Sequence, residues 1–188
     1  MRDRIKEILL ESIQIKEDVL HNRIDQIIEI TNLFIDCLKK GGKVIFFGNG
    51  GSASDSQHLA AELVGRFKKD RLALPAISLT TNTSILTSLA NDYGYDVVFS
   101  RQIEALGSKN DLAIGISTSG KAKNVAMAIK QAKKMGLKTI AFTGGDGGEL
   151  VKLADVSLMI NSAVTARIQE AHITIGHIIC ELVEEAMG

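Results

Sequence analysis

KVIFFGNGGSASDSQHLAAEL, residues 43–63, runs from a short apolar stretch through a glycine turn into helix-like sequence. Val44–Phe47 is wholly apolar and too short for a helix, the pattern of a strand buried on both faces. Glycines then mark a tight turn. The helix predicted after it, near residues 54–68, carries His58 and Glu62 at i and i+4, on one face and near its start. Strand, glycine turn and helix together form the opening unit of a parallel α/β sheet.

The unit recurs toward the C-terminus. Apolar runs at Ala76–Leu79, Leu112–Ile116, Thr139–Phe142 and Val156–Ile160 alternate with helical stretches near 83–106, 122–135, 148–153 and 164–186. Five such strands predict an α/β fold, a three-layer αβα sandwich with a five-stranded parallel sheet. Ahead of it, residues 3–40 show helical spacing of apolar residues. Two N-terminal helices are expected, breaking near His21-Asn22 and stopping at Gly41-Gly42. They have no crossover to make, so segment 1–42 is expected to pack on a neighbouring subunit. No linker or repeat interrupts the pattern, and residues 1–188 are expected to form one domain.

Composition narrows the function. Hydrophobic residues make up 45%, enough for a sizeable core. Lys plus Arg equals Asp plus Glu at 22 each, so there is no electrostatic footprint for nucleic acid. Cys37 and Cys180 lie far apart in apolar helical sequence, and the absence of CxxC excludes a thiolate zinc site. Both read as reduced thiols. With no signal-peptide core and no membrane-length apolar run, a soluble cytoplasmic protein is expected.

Ligands of open α/β sheets bind beyond the carboxyl ends of the strands. The loops there read GNGGSAS, TTNTS, STSGKAKN, TGGDGGE and NSAVTA. Turns in α/β proteins are commonly Gly-, Ser- and Asn-rich, but five polar loops on one edge favour a polar small ligand. Gly48–Ala53 fits the G-x-G-x-x-A dinucleotide pattern, yet Leu79 is followed by Thr80-Thr81-Asn82, with no acid for a ribose. No GK[ST] follows any glycine loop, which removes a nucleoside triphosphate site. Ser117-Thr118-Ser119-Gly120, between strand and helix start, suits a phosphate monoester.

A second cluster, RIQEAHITIGHIICEL at 167–182, carries Gln169, Glu170, His172 and His177 on the last helix. A lone helical His or Glu is commonly a core or solvated residue. Two such clusters beside a phosphate-binding edge supply a carboxylate, an imidazole and a candidate metal triad. There is no G-x-S-x-G elbow, and neither Cys neighbours a His in a loop. Proton transfer next to a carbonyl is the chemistry left.

In combination, GNGGSASDSQHLAAEL, SLANDYGYD, STSG, TGGDGG and ARIQEAHITIGH are specific. Over nearly its whole length the chain resembles the sugar isomerase (SIS) domain family and, within it, the phosphoheptose isomerases. The resemblance implies conversion of sedoheptulose 7-phosphate to D-glycero-D-manno-heptose 7-phosphate through an enediol(ate), for cell-envelope lipopolysaccharide. It implies a homotetramer with active sites at subunit interfaces and no organic cofactor. Glu62 would be the base and His177 its acid–base partner. Asn49, Gly50, Gly51, Ser52, Asn91 and Asp92 would hold the sugar together with Glu62. Ser117, Thr118 and Ser119 would hold the phosphate, with Gln169 also in contact. Some members bind zinc through residues matching His58, Glu62, Gln169 and His177. The family's phosphate loop usually reads STSGNS; here it is STSGKA, so Ala122 lacks a hydroxyl that Lys121 or Lys123 would have to replace. Two alternatives stay open at this level: a non-catalytic SIS adaptor, such as the relative that associates with the bacterial replication initiator, and a five- or six-carbon substrate.

Overall fold

A computed structural model describes residues 1–188. Two helices, α1 (Arg2–Asn22) and α2 (Ile24–Lys39), precede β1 (Val44–Gly48) and α3 (Gly51–Val64). Then come β2 (Ala76–Ser78), α4 (Thr83–Tyr93), a 3₁₀ turn at Tyr95–Val97 and α5 (Ser100–Leu106). The chain closes with β3 (Leu112–Ile116), α6 (Lys123–Lys134), β4 (Lys138–Gly144), α7 (Leu150–Leu153), β5 (Val156–Ile160) and α8 (Thr165–Met187). All strand pairs are parallel, in the order β2-β1-β3-β4-β5.

The sheet is covered on both faces, and its strands β1 and β3 are apolar and buried at every position. Val44 and Phe46 of β1 join one core with residues of α2, α3 and α8. Ile45 and Phe47 point the other way, into a core built with α5 and α6. Strand residues alternate between faces, so one five-residue apolar run feeds two cores. α3 leaves β1 toward the first face and α6 leaves β3 toward the second. The neighbouring carboxyl ends of β1 and β3 therefore open a crevice, the switch point of a doubly wound sheet.

Three boundaries differ from the sequence expectation. α3 starts at Gly51 rather than 54, because Gly50 at φ 56 makes the turn and lets Ser52 and Ala53 enter the helix at once. It also ends at Val64, so residues 65–68 are loop rather than helix. The predicted helix over 83–106 is broken: Gly94 at φ 87 stops α4, and the 3₁₀ turn redirects the chain into α5. Apolar spacing continued across this break and concealed it.

Candidate active site

α3 and α8 run side by side on the first face, with Gln169 over Gly51 and Gly176 against Leu59. Their close approach depends on Gly176, where a Cβ would lie 2.6 Å from Leu59 Cδ2. One residue later, His177 reaches His58 of α3, with the two Nε2 atoms 2.8 Å apart. Glu62 Oε1 lies 3.2 Å from His58 Nε2, one helical turn further on. His58 sits mid-helix rather than near the start, since α3 begins earlier than expected. Two imidazole nitrogens and one carboxylate oxygen thus converge, all within 4.8 Å of one another. An N,N,O donor set of this kind fits a borderline metal such as zinc.

Gln169, two turns before His177 on α8, lies over Gly51. Its amide Nε2 donates to Asp55 Oδ1 at 2.7 Å, which leaves the amide oxygen free to accept or ligate. Asp55 was not anticipated from the sequence. It precedes His58 by three and Glu62 by seven, the spacing of one helix face, and that was the available signal. Burial raises its pKa, against the Gln169 hydrogen bond and the nearby His58 and His177 imidazoles.

The loops give a mixed result. Asn49 and Asn124 exchange two 2.9 Å amide hydrogen bonds, tying the loop after β1 to the start of α6 across the crevice. The Asn49 side chain is therefore engaged with protein. Gly50 and Gly51 are exposed, whereas Ser52 is buried and its backbone caps the turn through Asn49. Ser117 is buried; Thr118 and Ser119 line an open polar cavity of about 360 Å³ with Gly145, Asp146, Ser162 and Thr165. Ala122, the N-cap of α6, offers no side-chain cap; the Val125 N–H donates to Asn124 Oδ1, and those of Lys123 and Asn124 stay available. Lys121 lines the same cavity, its Nζ paired with Asp146 at 3.0 Å. Asn91 and Asp92 are exposed at the end of α4, bonded to each other at 2.8 Å and by no side-chain hydrogen bond to the other candidates.

Two sequence readings change. His172 belongs to the core, fully buried, with Nε2 on the Thr143 carbonyl at 2.9 Å and its ring against Phe142. The stretch Arg66-Phe67-Lys68-Lys69, at the end of the helix predicted near 54–68, is a loop: Arg66, Lys68 and Lys69 are exposed and the Phe67 ring packs on His177.

A doubly wound parallel sheet with hydroxyl-rich loops at one edge and a carboxylate–imidazole cluster between α3 and α8 defines an αβα domain with a polar small-ligand site. A model of the SIS domain family matches residues 9–144, and the chain belongs to that family. It is 52% identical over 185 residues to the phosphoheptose isomerase of Aquifex aeolicus, covering 98% of this chain and 97% of that one. Identity to the probable phosphoheptose isomerase of Thermoplasma acidophilum is 54% over 166 residues, 88% of this chain and 91% of the other. The solved structure of phosphoheptose isomerase GmhA from Neisseria gonorrhoeae superposes with a TM-score of 0.93 at 41% identity, over 98% of both chains. That of a phosphoheptose isomerase from Francisella tularensis gives 0.94 at 35%, over 97% of both.

Proposed function

We propose that this chain is a phosphoheptose isomerase acting on sedoheptulose 7-phosphate. The observation that carries the assignment is the meeting of Glu62 with His58 and His177 between α3 and α8. In this reading Glu62 takes a proton from C1 of the ketose; the C–H electron pair forms the C1=C2 bond of an enediol(ate). His177 moves a proton between O1 and O2. Glu62 then returns its proton to C2, giving the aldose. The reaction is redox-neutral, so the chemistry needs no organic cofactor.

Thr118, Ser119 and the uncapped start of α6 supply hydroxyl and N–H donors for the phosphate, with Ser117 at the base of the loop. Asn49, Gly50, Gly51 and Ser52 form the wall at β1, and Gln169 offers its amide oxygen. Asn91 and Asp92 would join this set through the sugar itself. Zinc held by His58, Glu62, Gln169 and His177 would supply a Lewis acid for the carbonyl.

A homo-oligomer, most simply a tetramer, belongs to the same proposal. An apolar groove of about 400 Å³ runs between the N-terminal helices and α8, lined by Leu20, Ile24, Ile28, Ile178 and Leu182, all exposed. Exposed Ile5, Leu9, Leu10 and Ile13 extend it along α1. A face of this kind needs a cover, and a second copy supplies one of matching length. Leu20→Glu with Ile28→Glu should lower the sedimentation mass. No helix is long and apolar enough to cross a membrane. A cytoplasmic location and a place in envelope heptose supply follow from the isomerase reading. Two unpaired thiols that burial pushes up to about 12 are in keeping with it.

The test is turnover of sedoheptulose 7-phosphate, followed as aldose formed, with Glu62→Gln and His177→Gln as controls. A fall of about 10²–10⁴-fold is expected for each. Full activity in both variants would remove the assigned roles.

A further inference from the structure

The His177 ring touches two others. His58 makes a T-shaped contact, with centroids 5.0 Å apart and the two Nε2 atoms 2.8 Å apart. The Phe67 ring lies 5.4 Å away, tilted by 34°. Phe67 is not part of a helix or strand, so something else must fix it.

That support is Glu184. It follows His177 by seven residues on α8, two turns along the same face. Its carboxylate is buried and accepts three backbone N–H groups, from Phe67 at 2.8 Å, Lys68 at 2.8 Å and Lys69 at 2.7 Å. Arg71 Nε lies 3.2 Å from the same carboxylate, both side chains almost wholly buried. Arg71 also donates from Nη2 to the Glu62 carbonyl at 2.9 Å and from Nη1 to that of Leu63 at 2.9 Å. One ion pair therefore joins the end of α3, the loop beyond it and the face of α8 that carries His177. Burial opposes ionisation of Glu184, but the three N–H donors and Arg71 overcome it and hold its pKa down to about 2. The carboxylate is charged, and the clamp intact, throughout the neutral range.

We infer that Phe67 is a positioning residue for His177, held in place by the Glu184–Arg71 clamp, and that the loop from Gly65 to Arg71 is the back wall of the active site. The terminal side-chain torsion of histidine is broad, so the ring takes its orientation from what it packs against. Phe67 packs against the His177 ring while His58 meets it at Nε2, and the two contacts together fix its orientation. The apolar ring contributes shape and excludes water without competing for the imidazole nitrogens. The inference rests on His177 as the acid–base partner, but its experiment reads the ring directly.

Phe67→Ala, Phe67→Tyr, Glu184→Gln and the double variant Phe67→Ala/Glu184→Gln are compared with wild type. Histidines are ring-labelled, and His177 is assigned with His177→Gln. Phe67→Ala should shift and broaden the His177 ring signals and leave those of His21 in place. It should lower kcat by about 10- to 100-fold with KM changed less than about twofold. Phe67→Tyr should restore both. Glu184→Gln cannot serve three N–H donors and Arg71 with one acceptor oxygen, and should reproduce the loss. In the double variant the two losses should not multiply, because one loop is released by either change.

Unmoved His177 signals in Phe67→Ala, wild-type kcat in that variant, or a loss in KM alone would each overturn the inference. So would losses that multiply in the double variant. If Glu184→Gln does not fold, Phe67→Ala against Phe67→Tyr still decides. A wild type that turns over no heptose phosphate would defeat the functional proposal and leave the ring measurement to judge Phe67.

Discussion

His58 and His177 are separated by 119 residues in the chain, yet their Nε2 atoms lie 2.8 Å apart. At that distance one nitrogen must donate and the other accept, or both must face a shared cation. Glu62 at 3.2 Å from His58 completes a cluster drawn from two helices that have no sequence relation to each other.

The helix contact that creates this cluster is tight at one point. A methyl group at Gly176 would meet Leu59 at 2.6 to 2.8 Å. Gly176→Ala should destabilise the fold by about 1–3 kcal/mol and lower kcat, since α3 and α8 must part to admit it. Adding Leu59→Ala should recover activity by making room. Chemical denaturation and turnover on the single and double variants check this; a single variant with wild-type kinetics would show that the spacing is not critical.

Zinc affinity should follow the donor set. His58→Ala removes an imidazole from the converged cluster and should weaken zinc binding more than Gln169→Ala, because an amide oxygen is a poor zinc ligand. Loss of the Asp55–Gln169 hydrogen bond in Asp55→Ala should have an effect of about 10-fold, the range seen when a ligand's own support is removed. Competition with a chromophoric chelator, zinc being the only added probe, gives the order; equal affinities for His58→Ala and wild type would exclude this site.

Ala122 is the N-cap of α6 and offers no side-chain cap; under the proposed function it also stands where the family's phosphate loop carries a hydroxyl. Ala122→Ser should raise stability by about 1 kcal/mol through a helix cap. If the new hydroxyl turns to the phosphate instead, KM should fall by up to about 10-fold, equivalent to about 1.5 kcal/mol. Thermal unfolding with and without inorganic phosphate separates the two outcomes. Lys121→Ala should change little, because its ion pair with Asp146 is exposed.

His172 sets an acid-side limit on stability. Burial holds its pKa down to about 4 from 6.5, and the Thr143 carbonyl offsets this only in part. Between those values the unfolded chain binds the proton and the folded one does not, so stability is lost as pH falls from 6.5 to 4. The loss is on the order of 3 kcal/mol from this one group. Denaturant midpoints measured across that range should fall less steeply in His172→Gln than in wild type. Parallel curves would assign the acid loss to other groups.

The amino-acid sequence by itself determined the sheet, the helices on either side of it and the edge where polar loops gather. Those features follow from burial patterns within about ten residues: wholly apolar runs, helical spacing and glycine turns. It also held the spacing of Asp55, His58 and Glu62 on one helix face. Tertiary structure alone decided that α3 and α8 touch, that His172 turns into the core while His177 turns to the cleft, and that Asn49 spends its amide on Asn124. Phe67 and Glu184 show why. A loop residue has no periodicity to betray its partner, and a carboxylate on a helix reads as solvated until three backbone N–H groups, brought from another part of the chain, are found closing around it.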